Sequence, residues 1–273
     1  MNRQLLFIGD IVGELGLAYI EAHLPRYIVG RDDLFVVANG ENLAITGTGG
    51  PNACGMTMPF LERLLAAGVD VVTGGNHSWD GPEAEATLAH PLVIRPLNVG
   101  QGPAGRGAMI ASKTGFRLGV ITVTSLTAIP RADQPFDSFE RQLAAWDGLV
   151  DAVMVDFHGD SPFEKLSFGF AAAGRVAAVL GSHTHVPTLD TRLFPGGTAY
   201  VTDAGFTGPG GGLMGYAPEP FAELMRTRRP SRIPLQLADG PIEFGAVLVT
   251  LDGARAIAIE RVPGLETQRR ATG

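Results

Sequence analysis

Five short apolar runs in this chain each end within a few residues in side chains that carry oxygen or nitrogen lone pairs. Residues 4–8 lead into Gly9-Asp10, 34–38 into Asn39-Gly40-Glu41-Asn42, and 69–73 into Gly74-Gly75-Asn76-His77. Residues 152–155 lead into Asp156-Phe157-His158, and 176–180 into Gly181-Ser182-His183-Thr184-His185. Continuous apolar runs of this length read as strands buried on both faces, which is how parallel sheets look in sequence. Open α/β sheets gather ligands outside the carboxyl ends of their strands, so the pattern predicts one polar edge fed by five strand ends.

The stretches 17–28, 59–67 and 137–147 read as helices between the runs, and 117–125, rich in β-branched residues, as a further strand. From 187 to about 240 prolines and glycines punctuate the chain, which predicts a loop-rich region ahead of two last strands at 245–251 and 256–261. With no fixed-period repeat and no long polar linker, residues 1–263 are expected to form a single domain, followed by a mobile tail at 264–273. A mean hydropathy of +0.16 without any membrane-length apolar stretch points to a soluble, cytoplasmic protein. The formal charge of -7 argues against binding an extended nucleic-acid duplex, which relies on Lys and Arg. A small anionic substrate remains compatible with it, because a bound cation reverses the local field.

The donor set at the strand ends mixes carboxylates (Asp10, Glu41), amide oxygens (Asn42, Asn76) and imidazoles (His158, His183, His185) without sulfur. Such a set suits iron, manganese or zinc better than calcium or magnesium, which prefer shells of oxygen alone. If 183–185 is extended, its two imidazoles share one face, a spacing that suits two adjacent ions. The lone Cys54 reads as a small loop residue, and His23 and His90 as structural histidines outside the pattern. The basic stretch from Arg226 to Arg232 reads as a solvated loop, with a contact to substrate phosphate or a partner as the other option.

Taken in order, Gly9-Asp10, Asn39-Gly40-Glu41-Asn42, Gly75-Asn76-His77, Asp156-Phe157-His158 and Gly181-Ser182-His183-Thr184-His185 resemble the calcineurin-like metallophosphoesterases. Val12 and Glu41, standing where that superfamily usually carries a histidine and an aspartate, are similar to its YmdB-like branch of cyclic nucleotide phosphodiesterases. The resemblance implies a four-layer α/β sandwich, two facing mixed β-sheets flanked by helices. It also implies two transition-metal ions, one held by Asp10, Glu41, Asn42 and His185, the other by Glu41, Asn76, His158 and His183, with Glu41 shared. Chemistry of this kind uses a water activated between the ions to attack phosphorus. His77, beside Asn76 but outside the ligand set, is placed to protonate the departing sugar oxygen as general acid. Asp156, Asp203 and Thr184 are candidates for orienting the ligand imidazoles.

The substrate implied is a small phosphodiester, a 2′,3′-cyclic nucleotide opened to a nucleoside monophosphate, and the protein is a possible homo-oligomer. The chain departs from the branch at Gly159-Asp160-Ser161-Pro162-Phe163 and at 124–131, two loops at which the resemblance does not carry substrate preference over. Two rivals stand beside it: a broad phosphodiesterase or phosphomonoesterase, and a non-catalytic protein that uses metals to bind a nucleotide or RNA.

Overall fold

The computed structural model describes residues 2–47, 54–100 and 104–266. The chain begins β1 (Arg3–Ile8), β2 (Asp10–Ile11), α1 (Gly13–Tyr27), β3 (Leu34–Asn39), α2 (Met58–Ala66), β4 (Val71–Thr73), α3 (Ala84–Ala89) and β5 (Val93–Ile94). It continues β6 (Ala108–Lys113), β7 (Phe116–Thr124), α4 (Pro135–Ala145), β8 (Ala152–His158), α5 (Pro162–Ala172), β9 (Ala178–Ser182), β10 (Arg192–Phe194) and β11 (Thr198–Val201). Last come β12 (Phe206–Pro209), α6 (Glu219–Thr227), β13 (Ile242–Glu243), β14 (Ala246–Asp252) and β15 (Arg255–Arg261).

Two six-stranded mixed sheets carry the fold, in the orders β15-β14-β1-β3-β4-β5 and β10-β11-β9-β8-β7-β6. β1, β3, β4 and β5 run parallel, as do β7, β8, β9 and β11, while β14, β15, β6 and β10 are antiparallel additions. Side chains alternate across each strand, so Leu5 and Phe7 point into the space between the sheets while Leu6 and Ile8 point out. In the second sheet Leu118, Val120 and Met154 face inward, whereas Ile121, Val123, Val155 and Phe157 face outward. Leu17, Ile20 and Leu24 of α1 with Leu61 and Leu64 of α2 cover the outer face of the first sheet; Phe139 of α4 and Phe168 of α5 cover the second. The layers therefore run helix, sheet, sheet, helix, the four-layer α/β sandwich expected from the sequence.

Helix α1 starts before the expected residue 17, because Gly13 at φ +62 turns the chain straight from β2 into the helix. The region 187–240 is not simply loop: it holds β10, β11, β12 and α6. Its Pro220 sits in the first turn of α6, where a missing N–H costs nothing. The basic stretch also begins inside that helix, which runs to Thr227 and stops at Arg228 in the left-handed region. Of the expected mobile tail, residues 267–273 lie outside the described residues. Its beginning is held down, for Leu265 is buried and its N–H donates to the Tyr19 hydroxyl (3.0 Å). Among the described residues no helix is long and apolar enough to cross a membrane.

Candidate metal centre

Parallel alignment within each sheet brings the carboxyl ends of β1, β3, β4, β8 and β9 to one edge of the sandwich. Asp10 opens β2 one residue beyond the end of β1, Glu41 and Asn42 lie in the turn after β3, Asn76 and His77 in the turn after β4, and His158 closes β8. The expectation that 183–185 is extended is corrected by the structure. β9 stops at Ser182, and His183 (φ 97) and His185 (φ 60) both adopt positive φ, uncommon for non-glycine residues. Backbone hydrogen bonds hold this turn: the His183 N–H donates to Asp10 Oδ2 and the Thr184 N–H to Asp203 Oδ2, both at 3.0 Å. The two imidazoles are thus placed by a turn tied to two carboxylates rather than by strand pleating.

Around His158 the geometry is crowded in an informative way. Its Nε2 lies 2.9 Å from Asn76 Oδ1, 3.0 Å from Glu41 Oε1 and 2.9 Å from His183 Nδ1. Its other nitrogen is committed: Ser182 Oγ donates its proton to Asp156 Oδ1 (2.6 Å) and so accepts from His158 Nδ1–H (3.0 Å). Likewise His183 Nε2 is 2.9 Å from Asp160 Oδ1, and donating there leaves His183 Nδ1 as a bare lone pair. Four lone pairs therefore converge, and a single proton on His158 Nε2 satisfies only one of its three neighbours. A cation satisfies all of them. Donors about 2.1 Å from one ion and at right angles there are about 3 Å apart, which matches the observed separations.

Electrostatics tell the same story. Burial pushes His158 toward its neutral form, yet the charges of Glu41, Asp10 and Asp156 outweigh it and lift its pKa to about 9. Burial opposes ionisation of Glu41 too, but His158 holds its carboxyl below the usual range. Proton and metal ion compete for the same lone pair here, and the buried carboxylates favour either positive charge.

Beside this cluster Asp10 and His185 form a second, wider group. His185 Nε2 lies 3.6 Å from Asp10 Oδ1 and accepts from Asn42 Nδ2 (3.3 Å), while its ring stacks on Phe206 with centroids 5.4 Å apart. Burial works against charge on both partners, but their mutual attraction raises the pKa of His185 and lowers that of Asp10. Asp10 Oδ1 and His185 Nδ1 are buried without a hydrogen-bond partner. An unsatisfied buried polar atom costs about 1–3 kcal/mol, so a cation at Asp10 would remove part of that penalty.

His77 stands apart from both groups. Its N–H donates to Glu41 Oε2 (3.0 Å), and its ring Nδ1 lies 2.7 Å from Asp80 Oδ2. Burial lowers its pKa, but hydrogen bonding to Cys54, the Glu41 charge and Asp80 prevail and lift it to about 10. His77 is therefore favoured in its protonated form by these neighbours. It opens, with Glu41, Asn42, His183 and His185, onto a cavity of about 270 Å³ whose other side is apolar: Ile45, Leu213, Met214, Tyr216, Phe221 and Leu235.

Several residues that hold this arrangement were not assigned from sequence. Thr73 Oγ1 (2.6 Å) and Asn39 Nδ2 (3.3 Å) donate to Asp156 Oδ2, and Asn39 Oδ1 accepts the Glu41 N–H (3.1 Å). Fully buried Lys165 on α5 donates to Asp203 Oδ2 (3.0 Å) and to the Ser182 carbonyl (2.7 Å). Asp203 in turn accepts from the Thr184 hydroxyl (2.8 Å), so Lys165 braces the turn that carries both histidines. Gly75 leaves room for His158, because an ideal Cβ there falls 2.2 Å from both Nε2 and Cδ2. His23 packs on Tyr19, and His90 Nδ1 accepts the Leu92 N–H, both away from the site.

A family model described as "YmdB-like protein" matches residues 6–262. The chain belongs to the YmdB-like family. Its relatives include the 2′,3′-cyclic-nucleotide 2′-phosphodiesterase of Bacillus subtilis (strain 168), 34% identical over 262 residues, covering 95% of this chain and 96% of that protein. A protein of Thermus thermophilus described as hypothetical has the same fold, with a TM-score of 0.84, 37% identity and coverage of 94% of this chain and 96% of that one. So does a protein of Mycoplasma pneumoniae described as a novel phosphatase, with a TM-score of 0.85, 27% identity and coverage of 96% and 93%. Membership of the YmdB-like family places the chain among phosphoester hydrolases.

Proposed function

We propose that this YmdB-like chain hydrolyses small phosphodiesters, 2′,3′-cyclic nucleotides foremost, with a pair of transition-metal ions at the strand ends. The observation that supports the reading is the convergence of lone pairs from Glu41, Asn76, His158 and His183, which a single cation satisfies together. Glu41, Asn76, His158 and His183 would hold one ion, and Asp10, Glu41, Asn42 and His185 the other. Nitrogen and oxygen donors without sulfur favour iron or manganese, with zinc also compatible. When bound, the ions supply Lewis-acid charge for the phosphate and make a water acidic enough to be a nucleophile near neutral pH.

The chain's own groups do the rest. His77, held by Asp80 in surroundings that favour its protonated form, lines the cavity and delivers a proton to the departing ribose oxygen. The apolar wall of Ile45, Leu213, Tyr216, Phe221 and Leu235 takes the nucleobase by stacking and contact, and it excludes water from the reacting end.

The test compares two substrates in the wild type and in His77→Asn. A 2′,3′-cyclic nucleotide leaves as an alkoxide and needs a proton, so its kcat falls about 10²–10⁴-fold in the variant. Bis(p-nitrophenyl) phosphate leaves as a stable phenolate, and its kcat falls far less. Equal losses on both substrates, or loss of bound metal from the variant, would contradict the role of His77. Binding of cyclic nucleotide without any turnover in the metal-loaded wild type would contradict the enzymatic reading.

A further inference from the structure

Cys54 Sγ, a His77 ring nitrogen and an Asp80 carboxylate oxygen all lie within 4.8 Å of one another, a group that shares only the cavity, and no side chain, with the cluster of Glu41, His158 and His183. The chain has no other cysteine. The placement is built rather than incidental. Gly55, at φ +90, packs so tightly on the turn after β4 that an ideal Cβ would fall 2.5 Å from the Asp80 carbonyl, and its N–H donates to the Glu41 carbonyl (2.6 Å). That backbone contact seats Cys54 against His77. All three side chains are partly exposed, and Cys54 and His77 line the cavity, so an ion from solvent reaches them without opening the core.

Thiolate, imidazole and carboxylate together are a zinc-type donor set, unlike the sulfur-free set at the strand ends. Tetrahedral zinc with such ligands places its donors about 3.4–3.6 Å apart, a spacing that side-chain rotations of about 1 Å reach from the observed cluster. A solvent molecule would complete the fourth position.

We propose that Cys54, His77 and Asp80 form a separate site for a thiophilic divalent cation such as zinc, and that its occupation stops turnover by engaging His77. Binding converts the Cys54 thiol to a coordinated thiolate and takes one ring proton from His77, and both protons pass to the buffer. The inhibitory half rests on the reading of His77 as proton donor. The binding half does not.

The single cysteine makes the test direct. Protein saturated with manganese is titrated with cadmium while the ultraviolet sulfur-to-cadmium charge-transfer absorbance is followed, and turnover of a 2′,3′-cyclic nucleotide is measured on the same samples. The site predicts a band that saturates at one cadmium per chain, is absent in Cys54→Ser and needs at least tenfold more cadmium in Asp80→Asn. Zinc then inhibits the wild type at a concentration at least tenfold below that needed for Cys54→Ser, each rate taken relative to the same protein without zinc. No band at saturating cadmium, or a band unchanged in Asp80→Asn, overturns the site. A band that saturates while turnover persists upholds the cation site and removes the role given to His77, so the two readings fail separately.

Discussion

Gly75→Ala tests the account of the His158 cluster with a single methyl group. Gly75 does not sit at positive φ, so alanine brings no backbone strain, and the whole effect is steric. The added Cβ would lie 2.2 Å from His158 Nε2 and Cδ2, against an ordinary contact that starts at 3.4 Å. The ring has nowhere to retreat, being fully buried and bound through Nδ1 to Ser182. It must shift by about 1 Å, which pulls Nε2 away from Asn76, Glu41 and His183 and costs about 10²-fold in rate when a reacting group is displaced that far. Overpacking of this size destabilises by about 1–3 kcal/mol, leaving the chain folded. Elemental analysis should find about one ion lost per chain, and kcat on a cyclic nucleotide should fall at least about 10²-fold. Gly100→Ala, with no atom within 4 Å of its Cβ, is the control and should behave as wild type. A Gly75→Ala protein that keeps its full metal content and a rate within about threefold of wild type refutes the reasoning.

Three further outcomes follow from the same geometry. Lys165→Met leaves Asp203 buried without its cation and should cost about 3–5 kcal/mol in urea unfolding, and a loss below about 1 kcal/mol would count against the brace. In metal-stripped protein His158, raised to about 9 from 6.5, contributes stability that is complete below pH 6.5 and is lost as pH rises through 9. His77 and His185, also raised, act in the same direction, so the melting temperature should fall from pH 6.5 to 9 without metal and fall much less when an ion takes the proton's place; parallel profiles would contradict this. Tyr216→Ala removes an aromatic wall of the cavity and should raise KM for 2′,3′-cyclic nucleotides severalfold with little change in kcat, whereas an unchanged KM would place the base elsewhere.

The five strands that deliver the site, β1, β3, β4, β8 and β9, were legible because their apolar runs are short, nearly continuous and end in polar residues, as a strand covered on both faces requires. Short or edge strands such as β5 and β6 carry no such run. Helix α6 was not legible either, since Pro218 and Pro220 look like breakers until their places at the N-cap and in the first turn are known. The turn at 183–185 escaped because its conformation is imposed by Asp10 and Asp203, which are remote in sequence. Neither helix α5 nor Lys165 was picked out, for a lysine is seldom buried and nothing local in the sequence announces that its ammonium is enclosed. Asp160 illustrates the reverse case: the sequence marked 159–163 as a departure from the family pattern, and in the structure its carboxylate meets the ring of His183.

Anomalous diffraction from crystals of the manganese-loaded protein addresses the central claim most directly. The account predicts two peaks about 3.5–4 Å apart, one among Glu41, Asn76, His158 and His183, the other among Asp10, Glu41, Asn42 and His185. A single peak, or metal bound only elsewhere on the molecule, would contradict it.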